Sequence, residues 1–126
     1  ELYKCNICGN VIEILESGDG HPVCCGEEME RVEIKNDMQN SATLTEKHSP
    51  ELERDENGNL YPKTNKHPMD EEHYIMFMQA ISNDKTEIKT KFFKPHERAE
   101  MDTNMKDLSS IRSYCNIHGL YTGEVL

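Results

Sequence analysis

The chain has no tryptophan, only three phenylalanines and only five tyrosines among its 126 residues. Hydrophobic residues make up 35% and charged residues 30%. That supply suits one domain, or one small domain plus a tiny module, with a single modest core. A core this lean invites help from bound metal or a partner subunit. Positive charge is scarce too. Fourteen Lys and Arg face 24 Asp and Glu, giving a formal net charge of −10. The balance argues against a nucleic-acid partner, because binding one needs a basic face that releases counterions. No apolar run is long enough to span a bilayer, so no membrane partner is expected. The first residues, ELYKCNICGN, lack the charged, apolar, small-residue order of a secretory signal. These absences predict a cytoplasmic protein. In that compartment grouped cysteines serve as metal ligands more often than as disulfides.

Residues 1–35 read as one unit. GNVIEIL (9–15) is a short strand, SGDGHP (17–22) is dense in turn residues, and RVEIK (31–35) alternates with the period of a half-buried strand. The polar NDMQNSAT (36–43) reads as a linker. Beyond it, Asn57-Gly58 is a tight-turn signal and HYIMFMQAI (73–81) is apolar on both faces, as in a central strand. A turn at Asn83-Asp84 leads into the alternating TEIKTKFF (86–93), and IRSYC and LYTGEVL read as the last strands. Residues 94–108 read as loop. Short strands separated by turns predict an antiparallel β-sandwich. No internal repeat and no low-complexity segment stand out.

Four of the five cysteines lie in the first 25 residues. Cys5 and Cys8 form a C-x-x-C pair followed by Gly9, so one tight turn can aim two sulfurs at one ion. Cys24 and Cys25 are adjacent. Neighbouring side chains of an extended strand point to opposite faces. Both reach one metal only if the backbone bends sharply there, which Gly26 can ease. Four sulfurs suit iron or zinc equally well on spacing alone.

The fifth cysteine, Cys115, stands three positions before His118 in YCNIHG. A lone cysteine is most often a small buried hydrophobe. His48 ends TEKH just before Ser49-Pro50, and His67 and His73 bracket PMDEE. His21 and His96 sit in polar, turn-rich loops and read as surface residues. Pattern alone does not bring the other four histidines together.

YKCNICGN with VCCGEEM resembles the desulforedoxin-type module, and TEKHSP, KHPMDEEHYI and YCNIHGL resemble the iron-site segments of superoxide reductases. The combination resembles the desulfoferrodoxin family. The resemblance implies a mainly β fold: a desulforedoxin-like iron-binding domain over 1–36 and an immunoglobulin-like β-sandwich over 37–126. It implies two iron ions per chain. One would sit in a distorted four-sulfur site at Cys5, Cys8, Cys24 and Cys25. The other would have His48, His67, His73 and His118 around it, Cys115 as axial thiolate, and an open sixth position. The implied activity is one-electron reduction of superoxide to hydrogen peroxide without oxygen release. The implied donor is a rubredoxin-like protein, and the implied assembly a homodimer. In the family pattern Lys47 guides superoxide and Glu46 gates the oxidised metal.

The ligand set makes chemical sense for that task. Four neutral imidazoles and one thiolate leave ferrous iron with one net positive charge, which attracts an anion. A thiolate donates electron density toward a ligand bound opposite it. The amides after Cys115, at Ile117 and Asn116, are candidate donors to the sulfur, and such contacts tune redox potential. The alternatives are an iron electron carrier without catalysis of its own, a zinc-stabilised interaction module, and a dismutase.

Overall fold

The computed structural model describes residues 1–35, 49–64 and 66–123. The chain divides into two compact units, Glu1–Glu33 and Ile34–Leu126. The described residues form strands and turns, with no helix.

The first unit contains β1 (Leu2–Lys4), β2 (Val11–Glu13), β3 (Val23–Cys24), β4 (Glu27–Glu28) and β5 (Glu30–Arg31). β1 is the middle strand of a sheet ordered β2-β1-β5, and β3 pairs with β4 in a short hairpin. Its buried apolar side chains are Leu2, Cys5 and Met29. Three such groups make a very small core, and a cluster of sulfurs takes the place a larger one would fill.

The second unit contains β6 (Ile34–Lys35), β7 (Glu51–Arg54), β8 (Leu60–Lys63), β9 (Ile75–Ser82), β10 (Ile88–Phe92), β11 (Leu108–Cys115) and β12 (Gly119–Thr122). Five of these form a sheet ordered β10-β9-β11-β12-β6. All its neighbours are antiparallel except β12 and β6. The apolar run over β9 is explained by its place between β10 and β11. Its two faces meet different neighbours. Met78 and Ala80 lie opposite Ser113 and Ile111 on the inner face. Phe77 lies on the outer face, stacked on Tyr114 at 5.1 Å between centroids.

β7 and β8 make the facing layer. Their hairpin turns where Asn57-Gly58 predicts it. The Asp55 carboxylate accepts the amides of Asn57 (2.8 Å) and Asn59 (2.9 Å), which closes the loop. Leu60, Met78, Ala80, Phe93, Ala99, Met101, Leu108 and Ile111 fill the space between the layers.

Two strand expectations are corrected. RVEIK is not one strand. Arg31 pairs with Tyr3 in the first unit, whereas Lys35 pairs with Tyr121 in the second. Residues 94–108 are not plain loop throughout. Met101 N donates to Pro62 O at 3.0 Å, Thr103 N to Leu60 O at 3.1 Å and Leu60 N to Met105 O at 2.7 Å. This stretch therefore runs antiparallel beside β8 and widens the second layer. The linker expected at 36–43 lies outside the described residues.

Candidate metal centres

The first candidate centre is built by two turns. After β1 the chain reverses through Cys5–Gly9. Cys8 N points at Cys5 Sγ at 3.5 Å, and Gly9 N donates to Cys5 O at 3.0 Å. Gly9 has φ 84, which a residue with a Cβ rarely adopts. The second turn carries Cys24 and Cys25 at the end of β3. The bend expected there is present, and Cys25 itself takes part in it: its φ is 54, followed by Gly26 at φ 78. That reversal brings both neighbouring sulfurs to one side.

The ligand atoms of Cys5, Cys8, Cys24 and Cys25 all lie within 4.8 Å of one another. Cys8 Sγ and Cys24 Sγ are 3.5 Å apart, and Cys24 Sγ and Cys25 Sγ 3.9 Å. A metal–sulfur bond of about 2.3 Å gives a tetrahedron with edges of about 3.8 Å. The four sulfurs therefore fit one tetrahedral ion. The amides of Cys8 and Ile7 pull the Cys5 thiol down to about 6. The sulfurs of Cys8, Cys24 and Cys5 push the Cys25 thiol up to about 12. Crowded sulfurs resist sharing negative charge, and a cation removes that conflict.

The second candidate centre lies in the second unit, where three segments meet. β11 delivers Cys115. An irregularity in the β9–β11 register between Tyr114 and Cys115 sets Cys115 opposite Ile75. The sulfur is buried and belongs to the core cluster. His73 precedes β9 in a turn where Asp70 N donates to His73 O (3.0 Å) and His73 N to Asp70 O (3.2 Å). His67 follows β8, and its Nδ1 donates to Pro68 O at 2.6 Å. A carbonyl only accepts, so the proton sits on Nδ1 and the lone pair on Nε2.

Ligand atoms of His67, His73 and Cys115 lie within 4.8 Å of one another. His118 joins them: its Nδ1 is 3.8 Å from Cys115 Sγ, and its ring centroid is 5.1 Å from that of His73. Burial, then His73 and Lys35, hold the His118 imidazole below its ordinary value and therefore neutral. Burial raises the Cys115 thiol, opposed by the amides of His118 and Ile117 and by Lys35. Imidazoles with directed lone pairs beside a buried sulfur suit a transition-metal ion and no hard cation. Of the residues expected here from sequence, His48, Lys47 and Glu46 lie outside the described residues. His21 and His96 belong to neither group.

One expected contact is corrected. The Asn116 amide does not go to sulfur. It donates to Tyr74 O at 3.2 Å, while His118 N points at Cys115 Sγ at 3.5 Å.

Sequence reading also missed that the two centres share a loop. Cys5-Asn6-Ile7-Cys8-Gly9 and Cys115-Asn116-Ile117-His118-Gly119 differ at one position. The amide-to-sulfur distance is 3.5 Å in both, the glycine φ is 84 and 88, and each isoleucine is 58% exposed. The repeat is only five residues long, too short to register as an internal duplication. The signal was in plain view: CNICG and CNIHG.

A mainly β chain with two sulfur-containing ligand clusters, one on a short knuckle and one in a β-sandwich, is built as a metal-binding protein with two candidate centres. Residues 1–32 match the family model described as desulfoferrodoxin, N-terminal domain, and residues 40–124 the model described as desulfoferrodoxin. The chain belongs to the desulfoferrodoxin family. It is 40% identical over 124 residues to a desulfoferrodoxin homolog of Archaeoglobus fulgidus, covering 96% of this chain and 94% of that one. It is 38% identical over 126 residues to a desulfoferrodoxin of Nitratidesulfovibrio vulgaris, covering 98% and 95%. The fold is shared with the crystal structure of the superoxide reductase from Treponema pallidum, with a TM-score of 0.68 and 20% identity over 98% of each chain.

Proposed function

We propose that this chain is a superoxide reductase: superoxide, one electron and two protons give hydrogen peroxide. The observation that carries this reading is the buried meeting of His67, His73 and Cys115 in a chain of the desulfoferrodoxin family. The fold shared with the superoxide reductase from Treponema pallidum adds support.

The donor sets fit two iron ions per chain. Cys5, Cys8, Cys24 and Cys25 would hold the first, within the first unit. His48, His67, His73, His118 and Cys115 would hold the second, within the second unit. Bound there in the ferrous state, iron supplies the electron and a positive centre for the substrate anion. The chain's own groups do the rest. The Pro68 carbonyl fixes the His67 tautomer. The amides of His118 and Ile117 favour negative charge on the buried Cys115 sulfur. Lys47 draws a small anion to a chain of net charge −10 and orders the water that delivers a proton. Glu46 gates the oxidised site. A rubredoxin-like protein supplies electrons, and the chain works as a cytoplasmic homodimer.

The test mixes the reduced, iron-loaded chain with a known pulse of superoxide under anaerobic conditions. Peroxide should form in proportion to protein oxidised, with no oxygen evolved. Oxygen release would make it a dismutase instead, and a colourless, zinc-loaded protein would make it a structural module. A second reading, an iron electron carrier, is favoured by the four-sulfur set alone. Binding of azide or cyanide to the oxidised second site would count against it.

A further inference from the structure

We propose that Lys35 is a positioning residue of the second centre, holding the Cys115–Gly119 loop in place and lending positive charge to its metal. Lys35 lies on β6, the edge strand parallel to β12, opposite Tyr121. Its Nζ donates to the His118 carbonyl at 2.7 Å and lies 5.8 Å from the centroid of the Tyr121 ring. The ammonium fits closely against the turn: a Cβ on Gly119 would stand 3.9 Å from Nζ. A hydrogen bond and a ring contact thus hold one half-buried cation against the loop that carries Cys115 and His118.

Two consequences follow from this placement. The charge-assisted hydrogen bond fixes the His118–Gly119 peptide, the unit next to the one whose amide points at Cys115 Sγ. The charge acts at the metal position as well, because the ammonium is held against the loop that carries Cys115 and His118. Once a metal with two oxidation states is bound, a nearby fixed positive charge favours the reduced, less positive one. Lys35 therefore raises the reduction potential of the second centre. This rests on the reading of that centre as redox-active iron.

Redox titration of the full, iron-loaded chain, followed by visible absorption, tests it. Lys35→Gln keeps a hydrogen-bond donor and removes the charge, whereas Lys35→Arg keeps both. In Lys35→Gln the second-centre redox equilibrium should shift about tenfold toward the ferric form, ~59 mV for one electron. Lys35→Arg should restore the parent value, and the first-centre potential should stay fixed in both. A second-centre potential in Lys35→Gln equal to the parent's overturns the inference and leaves the reductase reading intact. A parent chain with no redox response at the second centre overturns both. If Lys35→Gln fails to retain metal at the second centre alone, retention by Lys35→Arg supports the inference and loss from it overturns it.

Discussion

Asn116 and Tyr74 exchange two hydrogen bonds across the second centre: Tyr74 N donates to Asn116 Oδ1 at 3.0 Å, and Asn116 N to Tyr74 O at 3.2 Å. Asn116 Nδ2 adds a third tie, to Glu72 O at 3.0 Å. These bonds fasten the turn that carries His73 to the loop that carries Cys115. They set the separation of the two ligands, and Asn116 Oδ1 also lies 4.0 Å from Cys115 Sγ. Asn116→Ala removes these side-chain contacts and leaves the Tyr74 amide and the Glu72 carbonyl to find water. It should destabilise the chain by about 1–3 kcal/mol, read as a lowered urea midpoint, and weaken second-centre metal retention. Asn6 stands at the same point of the first loop and makes one exposed bond, to Glu30 at 2.8 Å. Asn6→Ala should therefore cost clearly less. Equal losses would mean that Asn116 does not tie the site together.

Proton release should report the state of the first centre. In the metal-free chain the Cys5 thiol is pulled down to about 6 by the amides of Cys8 and Ile7. A depressed thiol stabilises the fold above its ordinary unfolded value, and that contribution fades as pH falls through about 6. Metal binding takes up thiolates and expels their protons. Between pH 7.5 and pH 5, protons released per ion bound at the first centre should thus rise by about one, measured by calorimetry in buffers of different ionisation heat. A count that does not change with pH would show that Cys5 keeps its proton in the free chain.

Gly119 closes the second loop at φ 88. An alanine there must adopt the left-handed conformation, at a cost of about 1–2 kcal/mol; its methyl would meet the Lys35 ammonium only at an ordinary 3.9 Å contact. Gly119→Ala should lower the thermal midpoint and loosen second-centre metal while sparing the first centre. A variant with parent stability would mean that the loop relaxes freely.

Lys47→Ala should slow the bimolecular reaction with superoxide by at least about tenfold, a loss of roughly 1.4 kcal/mol of transition-state stabilisation. Glu46→Ala should keep that rate and alter the ferric absorption spectrum. Stopped-flow or pulse-radiolysis traces separate the two. An unchanged rate constant in Lys47→Ala removes that residue from the mechanism.

Legibility from sequence differed by element, for physical reasons. β9 was readable because burial on both faces leaves a continuous apolar run. The four-cysteine group was readable because a C-x-x-C pair and an adjacent pair leave few other uses for the sulfurs. RVEIK misled because alternation reports burial but not pairing partners, and Arg31 and Lys35 serve different sheets. Residues 99–105 alternate in burial and bond to β8 at every second residue, but the run holds only Ala99, Met101 and Met105 as apolar residues, so the period was easy to overlook. His67, His73, Cys115 and His118 were suspected from context, but their meeting depends on strands distant in sequence. Asn116 and Lys35 were missed as supports because each acts through the backbone of another residue, which no side-chain pattern records.

The irregularity between Tyr114 and Cys115 has a bearing on how this chain can change. From Ile111 to Cys115 the inward and outward positions of β11 are dealt out alternately, so the sulfur's direction is decided by arithmetic. Deleting one residue between Ile111 and Tyr114 would turn the thiol outward, into the row that holds Arg112 and Tyr114. The hairpin tips at 55–59 and 83–86 carry no such count. Length changes should be tolerated at those tips and forbidden between Ile111 and Cys115, whatever the chemistry of the inserted residue.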